Sequence, residues 1–162
     1  MSIIIINNKE YNTNLYNDRK ELGIEQEQLL HMYLKDNNLN YVYISDELPF
    51  NAYDFIKDEN NEVKIIELKS RIGQIETHNI EYIDFAKIQQ YKKLSNIHTN
   101  LKAYFIFNHI DVKDGSNEYY IYEVDFKTIN DVCFLTTIKG KKTYELPIRH
   151  LRQLKDNLEI IK

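Results

Sequence analysis

The chain has 162 residues, with 25 acidic and 21 basic side chains and a net charge of −4; that length suits one domain able to bury roughly two-thirds of its unfolded surface. Its single cysteine, Cys133, excludes a disulfide framework and a thiolate zinc cluster, and points to a reducing cytoplasm. The acidic balance argues against grip on long nucleic acid by bulk charge alone, and the apolar run Ile3 to Ile6 is far too short to cross a membrane.

Asp18 to Asn37 reads as the first helix, with Asp18 as N-cap and Leu22, Leu29, Leu30, Tyr33 and Leu34 as its apolar stripe. Next comes a strand-turn-strand pattern: Tyr53-Asp54-Phe55-Ile56, a polar turn from Lys57 to Glu62, then Val63 to Arg71. Alternation puts Val63, Ile65, Glu67 and Lys69 on one face of the second strand and Ile66 and Leu68 on the other. Apolar residues on both faces predict a strand covered on both sides, as at the centre of an α/β sheet. A second helix is predicted over Glu81 to Asn96, followed by strands at Leu101 to Ile110 and Glu118 to Val124. The chain should close with a hairpin, Cys133 to Ile138 and Thr143 to Leu146 about a Lys139-Gly140-Lys141 turn, and a short helix from Pro147 to about Asp156.

Glu67 and Lys69 thus point into partly buried space, which is costly unless the site uses them. Two carboxylates, Asp54 and Glu67, can meet where the hairpin arms pair. Mg²⁺ takes oxygen ligands, often one or two carboxylates completed by phosphate and water. Lys69 beside them supplies a compact positive charge for phosphate chemistry.

Asp54, Glu67 and Lys69, with the trailing Ser70-Arg71, resemble the PD-(D/E)xK nuclease superfamily and its phage- and resolvase-type members. Tyr53 stands where the motif has proline, a residue that shapes the turn and binds no metal. The resemblance implies an α/β, restriction-endonuclease-like αβββαβ core over residues 18–124, with a mixed central sheet flanked by helices. The C-terminal hairpin and short helix of residues 125–162 then elaborate one domain spanning 1–162. It also implies a metal-dependent nuclease using Mg²⁺ or Mn²⁺, with nucleic acid as partner and DNA favoured over RNA. A homodimer follows for the resolvase version. The abundance of Ile, Asn, Lys and Tyr, which have AT-rich codons, suits a phage or low-GC genome.

In that superfamily the first helix carries a glycine, matched by Gly23, and a glutamate aimed at the metal. Three residues compete for the second role. Glu25 falls about 60° from the direction of Leu22, Leu29 and Tyr33 and Glu27 about 140° away. Gln26 lies nearest the stripe as a neutral stand-in. The angle favours Glu25, the spacing after Gly23 favours Glu27, and the expected catalytic set is Glu25, Asp54, Glu67 and Lys69, with the three acids on the metal.

Lys87, Gln89 and Gln90 read as the polar face of the second helix, because Gln89 and Gln90 lack the superfamily's Gln-x-x-x-Tyr spacing to Tyr91. Arg71 and His78 leave the motif strand near where substrate would run. Basic residues cluster at Lys139 to Lys142 and at Arg149, His150 and Arg152, a pattern suited to gripping phosphate. Gly140-Lys141-Lys142-Thr143 imitates the end of a phosphate-binding loop, but Leu135 replaces its first glycine. Two other functions stand beside a DNA nuclease: an endoribonuclease on the same fold, and a non-catalytic binding module.

Overall fold

Three two-residue turns set three of the hairpins of this chain in the computed structural model, which describes residues 3–44, 53–73, 75 and 78–162. Asn7-Asn8 joins β1 (Ile3–Ile6) to β2 (Lys9–Asn12), Asn60-Asn61 joins β4 (Phe55–Glu59) to β5 (Glu62–Ile72), and Lys139-Gly140 joins β9 (Phe134–Ile138) to β10 (Lys141–Pro147). Both central residues of each turn have positive φ, between 49° and 78°. That geometry matches the twist of paired strands, and asparagine enters it more readily than other non-glycine residues.

The central sheet has the order β11-β8-β7-β5-β4-β3, with β3 at Val42–Tyr43, β7 at Leu101–Ile110, β8 at Asn117–Glu123 and β11 at Arg152–Gln153. β5 and β7 run parallel and the other neighbours antiparallel, so the sheet is mixed. A parallel pair needs a crossover, supplied by β6 (Ile80–Asp84) and α2 (Phe85–Ile97). The side of the sheet beneath α2 packs Ile65, Phe105 and Phe107 against Ile88 and Tyr91. The opposite side packs Phe55, Ile66, Leu68, Tyr104 and Ile106 against Leu30 and Leu34 of α1 (Tyr16–Asp36). The predicted two-sided cover of β5 is present.

The β1–β2 hairpin, β3 and α3 have no counterpart in the sequence reading, and three predicted elements differ from it. α1 begins two residues before Asp18, whose carboxylate accepts from the Asn12 N–H at 2.7 Å and does not cap the helix. The start of the predicted Glu81–Asn96 helix is strand β6, and the helix proper is capped by Asp84, which accepts from the Ala86 N–H. Alternation was hidden there because the two buried positions are Ile83 and a glutamate, Glu81. The predicted closing helix is instead two short 3-10 turns, Ile148–His150 and Leu154–Asp156, on either side of β11.

The C-terminal segment is built into the fold. β10 pairs with both β9 and β6 in a three-stranded sheet, and a short helix, α3 (Ile129–Val132), precedes it. Leu154 and Ile161 are fully buried in the α1-side core. Tyr41 and Tyr104 donate to the Ile161 and Ile160 carbonyls at 2.7 and 2.9 Å.

Candidate active site

Asp54 and Glu67 come together because the backbone at Asp54 continues the β4–β5 ladder: its N–H donates to the Ile66 carbonyl at 2.9 Å. Its carboxylate turns toward β5, and Oδ2 accepts from the Leu68 N–H at 2.8 Å. Asp54 is thereby held beside Glu67, one strand away. Glu67 is 6% exposed, and its Oε1 receives Lys69 at 3.1 Å and Lys87 at 2.7 Å. Its other oxygen, Oε2, is buried with no hydrogen-bond partner among the described residues. A buried carboxylate oxygen without a donor is expensive, so this atom marks a place suited to a cation.

The helix glutamate against this pair is Glu27. Its side chain hydrogen-bonds Asp54, and its Oε2 accepts from the Tyr43 hydroxyl at 2.6 Å. Glu25 is turned the other way, toward the β1–β2 hairpin, where Lys9 contacts it at 2.7 Å and Tyr11 donates to it. Burial works to raise the Glu25 carboxyl, but the hydrogen bonds from Lys9 and Tyr11 outweigh it and hold the group below the usual range.

The reason lies in which side chains α1 buries. They are Leu22, Gln26, Leu30 and Leu34, whereas Leu29 is 37% exposed. A stripe centred on this four-residue line, and not on Leu22, Leu29 and Tyr33, lies about 60° further round the helix. That rotation carries Glu27 toward the sheet and Glu25 away. Gln26, at the centre of the stripe, accepts from Asn108 Nδ2 at 2.9 Å and serves the core.

Burial raises the Asp54 carboxyl first, and the nearby charges of Glu67 and Glu27 add to it, so it is pushed up to about 8 despite the Leu68 N–H. Acids gathered this closely cannot all ionise without a compensating cation. Tyr91 of α2 backs the site: burial and the charges of Glu67 and Asp54 push its phenol above the ordinary range. Lys87 and Tyr91 are one helical turn apart and both face β5. That Lys-x-x-x-Tyr spacing was the signal in the sequence, obscured by attention to Gln89 and Gln90.

The donor set suits a hard divalent cation, since it consists of carboxylate oxygens from α1, the approach to β4, and β5. Among the described residues, no three His, Cys, Asp or Glu side chains already stand close enough together to ligate one ion. Lys69 and Lys87 contact Glu67 Oε1 and leave Oε2 open, while Glu27 and Asp54 hydrogen-bond each other.

Further along the same face lies a second polar cluster. Arg71 Nε donates to Glu81 Oε2 at 3.0 Å, and Glu81 Oε1 faces His109 Nε2 at 2.7 Å. His109 Nδ1 faces the Gly73 carbonyl at 3.2 Å, and the His78 ring stands edge-on to His109 with centroids 5.0 Å apart. The Arg71 sought near substrate is therefore tied to the crossover strand.

The αβββαβ order, the mixed sheet and the flanking helices define the restriction-endonuclease-like fold, and the comparison of structures agrees. The chain superposes on Hjc of Archaeoglobus fulgidus, a Holliday junction resolvase from an archaeal hyperthermophile, with a TM-score of 0.52 at 11% identity over 81% of this chain and 98% of that one. D212, a nuclease from a fusellovirus, aligns with a TM-score of 0.49 at 13% identity over 91% of this chain and 92% of its own. No family model and no curated protein matches the sequence. The chain has the fold of the resolvase.

Proposed function

We propose that this protein is a Mg²⁺- or Mn²⁺-dependent nuclease, with Asp54, Glu67 and Glu27 as metal ligands and Lys69 and Lys87 as the phosphate-facing cations. The observation that carries the reading is the convergence of those three acids and two lysines where the approach to β4 meets β5. Metal bound there supplies activation of water and neutralisation of phosphate charge. The residues of the chain do the rest. Asp54, fixed by the Leu68 N–H, and Glu27, fixed by Tyr43, present carboxylate oxygens to each other beside β5. Lys69 and Lys87, held within 3.1 Å of Glu67, put two positive charges where a phosphate would gain negative charge. Tyr91 and the core beneath it keep the floor of the site dry.

DNA is the substrate in this reading, and the setting is DNA processing of the phage or mobile-element kind. A Holliday-junction resolvase acting as a homodimer is its narrower form, since two symmetric cuts call for two sites. An endoribonuclease on the same fold is the second reading, and the acidic net charge is compatible with it.

The test is cleavage of labelled duplex, single-stranded and four-way-junction DNA, and of RNA, with Mg²⁺, Mn²⁺ or EDTA and with Lys69→Ala as control. Metal-dependent cutting by the wild type, reduced about 100-fold or more in the variant, is expected. Folded wild-type protein that cuts none of these substrates would overturn the nuclease reading in favour of a binding module.

A further inference from the structure

A groove of about 1080 Å³ opens between the last turns of α2, the start of β7, the end of β8, the segment leading into α3, and β11. Four cations line it, Lys92, Lys102, Lys127 and Arg152, against two acids, Glu123 and Asp125. This local excess is positive on a chain whose net charge is −4. Lys92, Lys127 and Arg152 form no ion pair among the described residues, whereas Lys102 is shared with Glu62 at 3.5 Å. Asp125 accepts from the Lys127 N–H at 2.9 Å, so its carboxylate shapes the turn that presents Lys127.

The groove also lies in a defined relation to the candidate active site. Lys87 reaches Glu67 from the first turns of α2, and Lys92 lines the groove five residues later, about 7.5 Å along the helix axis. On β7, Lys102 lies three residues before Phe105, the register partner of Glu67, about 10 Å along the strand and, at that odd offset, on the opposite face of the sheet. That separation equals roughly three base steps of a nucleic-acid strand. Exposed lysines and an arginine carrying no carboxylate partners are suited to phosphates, whose contacts position the substrate without reading its sequence.

We infer that this groove binds the nucleic-acid backbone outside the cleavage site, with Lys92, Lys127 and Arg152 as its phosphate contacts. The inference rests on the proposed nuclease reading for its ligand but concerns a different surface. It divides the basic residues noted in the sequence. His150 and Arg152 line this groove, while Lys139 and Lys141 flank Tyr82 at the β9–β10 turn elsewhere on the molecule.

The experiment measures binding of fluorescent 30-nucleotide single-stranded and 30-base-pair duplex DNA, without added metal, by wild type and by Lys92→Glu/Lys127→Glu/Arg152→Glu at several salt concentrations. All three side chains are exposed, and circular dichroism checks the fold. Lys139→Glu/Lys141→Glu reverses charge at the other basic turn and serves as the comparison. The groove variant should bind at least about 10-fold more weakly, with a salt slope shallower by about two to three phosphate contacts. An unchanged dissociation constant and salt slope in a folded variant would overturn the groove, as would an equal loss in the Lys139/Lys141 variant. Parallel cleavage assays separate the two proposals. Cutting by the wild type with unaltered binding by the groove variant refutes the groove alone, and groove-dependent binding without cutting refutes the nuclease alone.

Discussion

At the residue scale, the site turns on which glutamate of α1 faces β5. Glu27 hydrogen-bonds Asp54, whereas Glu25 is held by Lys9 and Tyr11. Glu27→Gln should therefore reduce metal-dependent cleavage to near background, while Glu25→Gln stays within a few-fold of wild type and lowers Tm slightly. Paired rate and melting measurements check both. The Asp54 carboxyl gives a pH prediction with a definite sign. Raised from 3.8 to about 8 in the folded state, it carries a proton there that the unfolded chain lacks between those values. Metal-free protein should then lose stability as pH rises from about 4 to about 8, and regain it as pH falls. Asp54→Asn keeps the oxygen that accepts from Leu68 and removes the titration. Its Tm should exceed that of wild type at pH 9, with this part of the pH dependence flattened; a wild-type profile retained in the variant would show that another group is responsible.

At the scale of elements, the Arg71–Glu81–His109 cluster ties β5, β6 and β7 together at the end of the sheet beyond Lys69. Glu81 and His109 are 1% and 2% exposed, so removing one partner leaves buried charge or an unmet donor. Glu81→Ala should cost about 3–5 kcal/mol, measurable by urea denaturation, and Glu81→Gln less. The same cluster shows why β6 escaped the sequence reading. A strand whose inward positions hold a glutamate does not alternate by hydrophobicity, and its neighbour α2 supplied enough apolar residues to extend a helical pattern over it. Strands β5 and β7 at the centre of the sheet were legible because they are dense runs of β-branched and aromatic residues, whereas the two-residue edge strands β3 and β11 carry no such signal. The closing helix was not present because Pro147 ends β10, Ile148–His150 makes a 3-10 turn, and Arg152–Gln153 adds a short strand to the sheet edge beside β8.

At the scale of the whole molecule, the acids from α1, the approach to β4, and β5 are held together by two cores on opposite faces of one sheet. A cation that binds this arrangement and not the unfolded chain must stabilise it by mass action. Mg²⁺ or Mn²⁺ at about 100 times its dissociation constant should add about 2.7 kcal/mol, read as a rise in Tm. The rise should shrink in Glu27→Gln and in Asp54→Asn and persist in Lys92→Glu. An equal rise in all three variants would place the cation elsewhere. Among the described residues no helix is long and apolar enough to cross a membrane.

By itself the sequence determined the elements whose signals are local. The Asn60-Asn61 turn, the alternation that puts Glu67 and Lys69 on one face of a doubly covered strand, and the pairing of Asp54 with that strand all follow from residues within about twenty positions of one another. Tertiary structure decided what depends on rotation and on distant partners. The turn of α1 about its axis is set by burying Leu22, Gln26, Leu30 and Leu34, and it alone selects Glu27 over Glu25. The crossover from β5 through β6 to α2 alone brings Lys87 onto Glu67, 20 residues away in sequence. A helix of 3.6 residues per turn changes the facing of a side chain by 100° with each step, so a small error in judging which leucines are buried changes which glutamate faces the sheet.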